Sequence, residues 1–567
     1  MRTVLFLIAA ILLSTTLLQG QGHENFKLNQ VGFYPKAPKI AILSGGATGK
    51  FSVVDISADE PVFEAELSSP TFWELSGETV SIADFSSFTT PGQYRIEHND
   101  TGYSFEFEIR EEILRDLSKA SIKAFYFNRA SSELLEEHAG IWARPMGHPD
   151  DVVYIHESAE TEERPEGYVI SSPKGWYDAG DYNKYAVNSG ISTYTLLAAY
   201  EHFPEYYRGL NLNIPETGNG VPDLLDEIRW NLDWLLTTQD PNDGGVYHKV
   251  TSKDFAGRVM PNEAEADRFA VMKSTGGTLN FAAVMATAAR VYNEFDPDFA
   301  NEALKAAEYA WQWAVQNPEE YYEQPPDIQT GAYGDRQLED EFDWAAAELY
   351  ISTGNDDYWN ARNFDQVGAG IPSWSYVRPL AWISLAHHRG NLTDAADPTL
   401  IGKRIMEQGK ELLEEFYRSP YAITMGRYGM SDFVWGSNGV IGNHSLMLIQ
   451  AYRLSGEKDY LNAALANMDY LLGRNATGYS FVTGFGSKPP MFIHHRQSAS
   501  DDIEDPVPGF VAGGPQPGQQ DGCNYHSDLP ATTYLDDWCS YSTNEVTINW
   551  NAPVVYLTGA LEVIKNR

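Results

Sequence analysis

The chain has 567 residues, with 79 Asp and Glu against 40 Lys and Arg, so its formal net charge is −39. Such a surface repels phosphate backbones and anionic bilayers, and neither nucleic acid nor a membrane surface is expected as a partner. At 43% hydrophobic and 21% charged residues the composition is that of a globular protein rather than a disordered or fibrous one, and 14 Trp, 33 Tyr and 26 Phe suit a neutral, ring-shaped ligand such as a sugar as well as a large core.

The first element in chain order is a leader. Arg2 precedes an apolar run from Val4 to Leu18, interrupted by Ser14, Thr15 and Thr16, and the run exits through Gly20, Gln21 and Gly22. A basic start, a short apolar stretch and a small-residue exit predict a signal peptide over 1–22 and a secreted or periplasmic protein. The run is short for a membrane-spanning anchor, the alternative reading. Residues 23–111 read as a small β-sandwich. Lys39–Leu43 and Phe51–Asp55 are short apolar runs. Tyr94 and Ile96, then Tyr103, Phe105, Phe107 and Ile109, alternate with polar neighbours, and Pro91-Gly92 and Asn99-Asp100 punctuate them.

From residue 112 to the end the period becomes helical. Ile113, Leu117, Ile122, Phe125 and Tyr126 share one face, as do Leu224, Leu225, Ile228, Leu232 and Leu235. Ala-rich helical hairpins then recur from Phe281, Glu341 and His444, which predicts an α-solenoid or a closed toroid of hairpins. The last hundred residues break into long Gly/Pro-rich stretches, and such loops in a compact domain are usually functional. The two cysteines, Cys523 and Cys539, lie there. They read either as a disulfide closing a short loop or as two buried thiols, and two thiols are too few for a thiolate zinc site.

Three segments carry candidate chemistry. In Gly175–Tyr185 ("GWYDAGDYNKY") Asp178 and Asp181 are separated only by Ala179 and Gly180, so both carboxylates can enter one cavity and hold one water between them. An Asx turn capping a helix is the plainer reading. Glu545 lies among Trp538, Tyr541 and Trp550, and apolar walls raise a carboxyl pKa toward what a general acid needs. Against this, Ser542 three residues earlier makes a capping box. Asp536 or Asp537 could bond a substrate hydroxyl or another site group. His494 and Arg496 share a face of an extended loop and could donate to hydroxyls, while a metal pair or a plain surface loop are the rival readings. No nucleophile elbow, P-loop or dinucleotide fingerprint is present.

Together these segments resemble glycoside hydrolase family 9, the inverting cellulase family, over nearly the whole mature chain. "FKLNQVGFYPKAPKIAIL" at Phe26–Leu43 is similar to the start of the immunoglobulin-like domain that precedes the catalytic module in one branch. The resemblance implies a mostly α protein, an (α/α)6 barrel over 112–567 behind the all-β sandwich. It implies Asp181 as catalytic base, Asp178 as its partner in holding water, and Glu545 as general acid. His494, Arg496 and Asp536 would sit at the cleavage subsite, and Tyr541, Trp176 and Trp435 would stack on glucose rings or bind hydroxyls. Some relatives bind zinc just before the Asp-Ala-Gly-Asp motif, but here His148 and His156 have no cysteine beside them, so zinc is not expected. Asp340 and Glu341 match a calcium-binding helix start, although charge meeting the helix dipole explains them equally. No cofactor is needed for the chemistry. The expected protein is a monomeric endo-β-1,4-glucanase acting on a β-1,4-glucan or oligosaccharide, with an exo-acting glycosidase of the same fold, or a catalytically dead glycan-binding protein, as alternatives.

Overall fold

The structure, a computed structural model, describes residues 23–427 and 429–564; the leader read over 1–22 lies outside the described residues. Two antiparallel-rich sheets open the chain. One pairs Phe26–Lys27, Ile40–Ser44, Glu78–Asp84 and Thr71–Trp73 in that order. The other runs Gly32–Phe33, Phe107–Ile109, Gly92–His98, Lys50–Asp55 and Glu60–Glu66, with Gly102–Tyr103 added to Gly92–His98. Alternate residues Phe51, Val53, Tyr94, Ile96, Phe107 and Ile109 meet Ala41, Leu43 and Ala83 between the sheets. The alternation expected from Tyr103 to Ile109 is not one strand. The Ser104 hydroxyl accepts from the Ile96 amide at 2.9 Å, standing in for a ladder carbonyl, and the chain leaves the sheet before rejoining it at Phe107.

The helices close into a ring. Among the described residues, Ala186–His202, Thr275–Tyr292, Glu339–Thr353, Arg378–His388, Ser437–Ser455 and Ile548–Ile564 each pack on the next, and the last returns to the first. These inner helices are rich in Ala, Gly, Ser and Thr and buried on nearly every face; Thr275–Tyr292 leaves only Arg290 short of full burial. A helix apolar or small all round belongs inside a core. The outer helices are amphipathic. In Pro398–Arg418, Asp397 caps the Thr399 amide, Pro398 occupies the first turn, and Ile401, Ile405, Leu412 and Leu413 form the one buried stripe. Asp223–Thr238, Pro297–Gln316, the short Asp356–Asn360, Pro398–Arg418, Lys458–Leu471 and Arg115–Phe127 make the outer layer, so the toroid is an (α/α)6 barrel.

A third sheet was not legible as strands. Val169–Ile170, Val153–Ile155, Arg268–Ala270, Lys249–Thr251 and Lys184–Tyr185 pair in that order on the barrel face where the inner helices begin. It ties the long loops around residues 150–170 and 250–270 to the segment carrying Asp181.

The sandwich docks through buried polar contacts. Asn29 donates to Asp469 at 2.8 Å, and Tyr34 donates to Glu562 at 2.6 Å. The Gln30 amide donates to Leu472 O, its side chain donates to Gly478 O, and its Oε1 accepts from the Ser487 and Lys488 amides at 3.0 and 2.8 Å. Burial pushes the Asp469 carboxyl up to about 6, against the pull of Arg474 and the Asn29 hydrogen bond. Losing one donor to a buried carboxylate costs ~1–3 kcal/mol. Asn29→Ala is therefore expected to lower the melting temperature by a few degrees while leaving far-UV circular dichroism unchanged, and calorimetry on the two proteins checks it.

Candidate active site

The Gly175–Tyr185 segment is held from three sides before any side chain acts. Its Gly175 and Tyr177 amides bond to Trp230 O and Asn128 O, and Asp178 O accepts from the Ile548 amide at 2.9 Å, at the start of the last inner helix. Trp176, expected against substrate, points the other way. It is 1% exposed, its ring packs on Phe125, and its Nε1 donates to the buried Glu227 at 2.8 Å. It is a core residue, tied to the buried Arg129–Glu227 pair rather than to the barrel mouth.

Both oxygens of Asp178 accept hydrogen bonds, from Asn188 Nδ2 at 2.6 Å and from the Tyr333 hydroxyl at 2.7 Å. Burial, then the charge of Asp181, pushes Asp178 up to about 8 against those two donors. Asp181 Oδ2 accepts from Asn183 Nδ2 at 2.6 Å and Tyr185 Oη at 2.9 Å, while its Oδ1 is buried without a hydrogen-bond partner. Asn183 is itself locked: its Oδ1 accepts from Arg268 Nη1 and the Ser252 amide, and Arg268 pairs with Asp150, which also holds Lys184 at 2.7 Å. The small sheet thus orients the amide that orients Asp181. Neither aspartate caps a helix.

Glu545 faces this pair from the opposite end of the domain. It follows the short helix Tyr541–Asn544 in extended conformation (φ −69°, ψ 158°), so the capping-box reading with Ser542 fails; Ser542 instead donates to Asp521. Desolvation, then the charges of Asp181 and Asp178, hold the Glu545 carboxyl well above the usual range, opposed by Arg496 and the Gly180 amide. His494 runs parallel to Glu545, with its amide on Asn544 O at 2.9 Å. Its ring stacks on Trp538 at 4.2 Å, and Nδ1 lies 2.8 Å from Trp538 O. A carbonyl can only accept, so Nδ1 carries the proton. Burial lowers the His494 pKa, the ring is neutral near pH 7, and Nε2 offers a lone pair rather than the donor expected from the motif.

Two further residues act through the backbone. Arg496 is 8% exposed, and its Nη1 and Nε donate to Gly180 O and Ala256 O at 2.7 and 2.8 Å, so it braces the aspartate loop with two of its five N–H donors. Asp536 accepts from the Met491 and Phe492 amides at 2.8 and 2.9 Å and from Asn544 Nδ2 at 3.0 Å. Its carboxylate ties the Met491–Phe492 turn to Asn544, next to Glu545. Trp435 is 42% exposed, with its ring 5.4 Å from Tyr541, whose hydroxyl donates to Gln520 O, leaving both ring faces at the rim. Cys523 and Cys539 are joined by a disulfide that closes the loop holding Asp536 and Trp538. Tyr333, Tyr185, Asn183 and Asn188 escaped the motif reading as carboxylate partners; for Tyr333 the one signal is its Gly331-Ala-Tyr-Gly334 setting in a long Pro-rich loop.

Metal-ligating groups gather in two other places. Asp340 and Glu341 lie in the first turn of a helix, and the charge of Asp335 reaches Glu341. Asp340 Oδ2 accepts from the Val377 amide, but both oxygens of Glu341 and Oδ2 of Asp335 are buried without a partner. Burial and the neighbouring acids push the Glu341 carboxyl well up, and hard oxygen donors of this kind would suit calcium. Glu201, His202 and His387 also lie close together, at the far end of the barrel. There Arg290 pairs with Glu201 at 2.8 Å, and Arg453 donates to His387 Nδ1 at 2.8 Å, so two guanidinium groups stand where a dication would be repelled. His148 and His156 are engaged separately, by Tyr177 and by Ser158 and Asp327.

Splitting a glycosidic bond calls for one carboxylate that activates water and another kept protonated for the leaving oxygen. An α/α ring carrying that set at its mouth defines a glycoside hydrolase of the acid–base kind. The profile described as "Glycosyl hydrolase family 9" matches residues 115–558, and "Cellulase N-terminal ig-like domain" matches 21–102. A xyloglucan-specific endo-beta-1,4-glucanase of Bacteroides ovatus is 42% identical over 96% of this chain and 94% of its own, and Endoglucanase D of Acetivibrio thermocellus is 31% identical over 94% and 83%. A solved structure titled "Bacteroides ovatus GH9" superposes with TM-score 0.90 at 41% identity, covering 95% of this chain and 99% of that one. The chain belongs to glycosyl hydrolase family 9.

Gly180 is where the two walls touch, and a β-carbon there would sit 2.1 Å from His494 O. Gly180→Ala must push the His494–Glu545 segment back, and displacement on that scale costs ~100-fold in rate. Steady-state kinetics of the variant, with circular dichroism as the folding control, is expected to show a kcat loss of that order.

Proposed function

We propose that the protein is an exported, monomeric enzyme that hydrolyses internal β-1,4-glucosidic bonds of a glucan with inversion. Asp181 is the base, Asp178 its partner in holding the water, and Glu545 the acid. The observation that carries this reading is the buried, unpartnered Oδ1 of Asp181 in the same site as a desolvated Glu545. Water attacks the anomeric carbon as Asp181 takes its proton. Glu545 gives its proton to the glycosidic oxygen as that C–O bond breaks, and exchange with solvent restores both groups. Inverting chemistry places the two carboxyls ~6.5–9.5 Å apart so that the water fits. His494 Nε2 accepts a sugar hydroxyl, and Trp435 and Tyr541 stack on glucose rings.

The relative named as xyloglucan-specific supports a glucan backbone able to carry branches as the substrate. A second relative, named cellulose 1,4-beta-cellobiosidase and 34% identical over 95% of the chain, keeps exo action as the rival reading. Early products decide: a ladder of oligomers from cellohexaose or xyloglucan supports endo cleavage, and one sugar from the start supports exo. The disulfide supports export, since such bonds persist in oxidising compartments. Asp335, Asp340 and Glu341 are proposed to hold a structural calcium.

Glu545→Gln lowers kcat on glucan by ~10²–10⁴-fold, and far less on an aryl cellobioside whose leaving group needs no proton. In the parent enzyme Glu545 must hold its proton, so activity falls as pH rises through its raised pKa. ¹H NMR of the first product reads α-anomer if the mechanism inverts; β-anomer overturns the assignment. For the cation, chelation with EDTA is expected to lower the melting temperature by at least ~2 °C, calcium to restore it, and Glu341→Gln to abolish the calcium response.

A further inference from the structure

Lys249 lies in the short strand Lys249–Thr251, is 0% exposed, and among the described residues has no carboxylate within ion-pair range. Its Nζ reaches three neutral oxygens instead: Gln324 Oε1 at 3.2 Å, Thr330 Oγ1 at 3.0 Å and Gly331 O at 2.7 Å. An ammonium has three donors, and all three are used on one loop. Burial lowers the Lys249 pKa to about 7, opposed by the charge of Asp181 beyond ion-pair range; keeping an ammonium here is costly, so the arrangement calls for a reason beyond packing.

The loop it grips leads directly to the carboxylate pair. Gln324 Nε2 donates to Ile328 O and Thr330 O, both at 2.7 Å, and Thr330 Oγ1 lies 2.7 Å from Thr251 Oγ1, so residues 324–331 form a closed, cross-braced turn. The Gly331 amide donates to the Tyr185 hydroxyl at 3.1 Å, and that hydroxyl donates to Asp181 Oδ2. Two residues on, Tyr333 adopts a positive φ of 46°, a strained conformation for a tyrosine, and its hydroxyl donates to Asp178 Oδ2. Tyr185 and Tyr333 also pack edge to face at 4.9 Å. The loop therefore touches both acids, one through each tyrosine. Backbone strain at Tyr333 persists only if something over-determines the loop. Lys253 holds its outer side through Asp327 at 2.7 Å, and Lys249 is the buried cation that holds Thr330 and Gly331, the end nearest the tyrosines.

We infer that Lys249 is a positioning residue: its ammonium clamps residues 324–331, and through Tyr185 and Tyr333 that clamp fixes the orientation of both Asp181 and Asp178. This rests on the proposed roles of the two aspartates. The residue touches neither substrate nor the acids themselves, and its effect is on the rate of the chemical step rather than on sugar binding.

The test is Lys249→Met, measured with Tyr333→Phe as a double-mutant cycle on the glucan that the parent enzyme cleaves. Lys249→Met is expected to lower kcat ~100-fold with KM within about twofold, since an interaction made for the transition state is lost and binding is spared. In the Tyr333→Phe background the further loss shrinks to below about threefold, because both changes act through the same link. An unchanged kcat, a loss that appears in KM alone, or an equal loss in both backgrounds overturns the inference. Should Lys249→Met not fold, Thr330→Val removes one acceptor without placing a charge, and a kcat loss in the same direction is required. A crystal structure of the variant decides without substrate: Tyr333 Oη must move beyond about 3.5 Å from Asp178. If the parent enzyme cleaves no β-1,4-glucan, the proposed function fails, while that comparison still judges the clamp.

Discussion

The contact between Gly180 and the His494–Glu545 segment governs the site. Its amide faces the Glu545 carboxylate, its carbonyl accepts from both the amide and the guanidinium of Arg496, and its α-carbon leaves no room for a side chain. Through one residue without a β-carbon, two loops from opposite ends of the domain come close enough for three carboxylates to feel one another. Charges that would be screened at a surface interact strongly here, because little water remains between them. The rise in Glu545 and the shift of Asp178 to about 8 are two expressions of that approach.

Holding acids together in a dry place opposes folding, and the surrounding architecture absorbs the cost. Asp178 and Asp181 each have two directed donors, and those donors are themselves bonded to groups on separate elements. The inner helices supply buried, small-residue surfaces on which the loops can rest. At the far end of the ring a second set of buried charges, Glu201, Arg290 and Glu348, pairs internally. One end of the barrel thus carries charges balanced among themselves, and the other carries an unpartnered carboxylate oxygen at Asp181 Oδ1 and a carboxyl whose pKa is held high at Glu545.

The parts of this molecule legible in the sequence are those with long periods or long motifs. Ala-rich hairpins repeated from Phe281 onward predict a ring of helix pairs because an inner helix must be small and apolar all round. The sandwich strands alternate, except where a serine hydroxyl replaces a ladder partner at Ser104. The third sheet was hidden because its strands are two or three residues long and contribute Lys184, Lys249 and Arg268, residues whose burial depends on partners distant in sequence. The same limit explains Trp176. A motif says which residues stand together but not which face each takes, and the indole turned to Glu227 rather than to the mouth. Tyr333 lies in a stretch with no period at all, and its flanking glycines mark a turn without saying that its hydroxyl partners Asp178.

Gln30 of the sandwich accepts from the amides of Ser487 and Lys488, a few residues before His494, and donates to Gly478 on the same loop. An immunoglobulin-like unit is commonly regarded as a detachable accessory. Here one of its side chains supplies backbone bonds that the catalytic module's own loop lacks, so the two modules share a seam that exchange with an unrelated β-domain would tear.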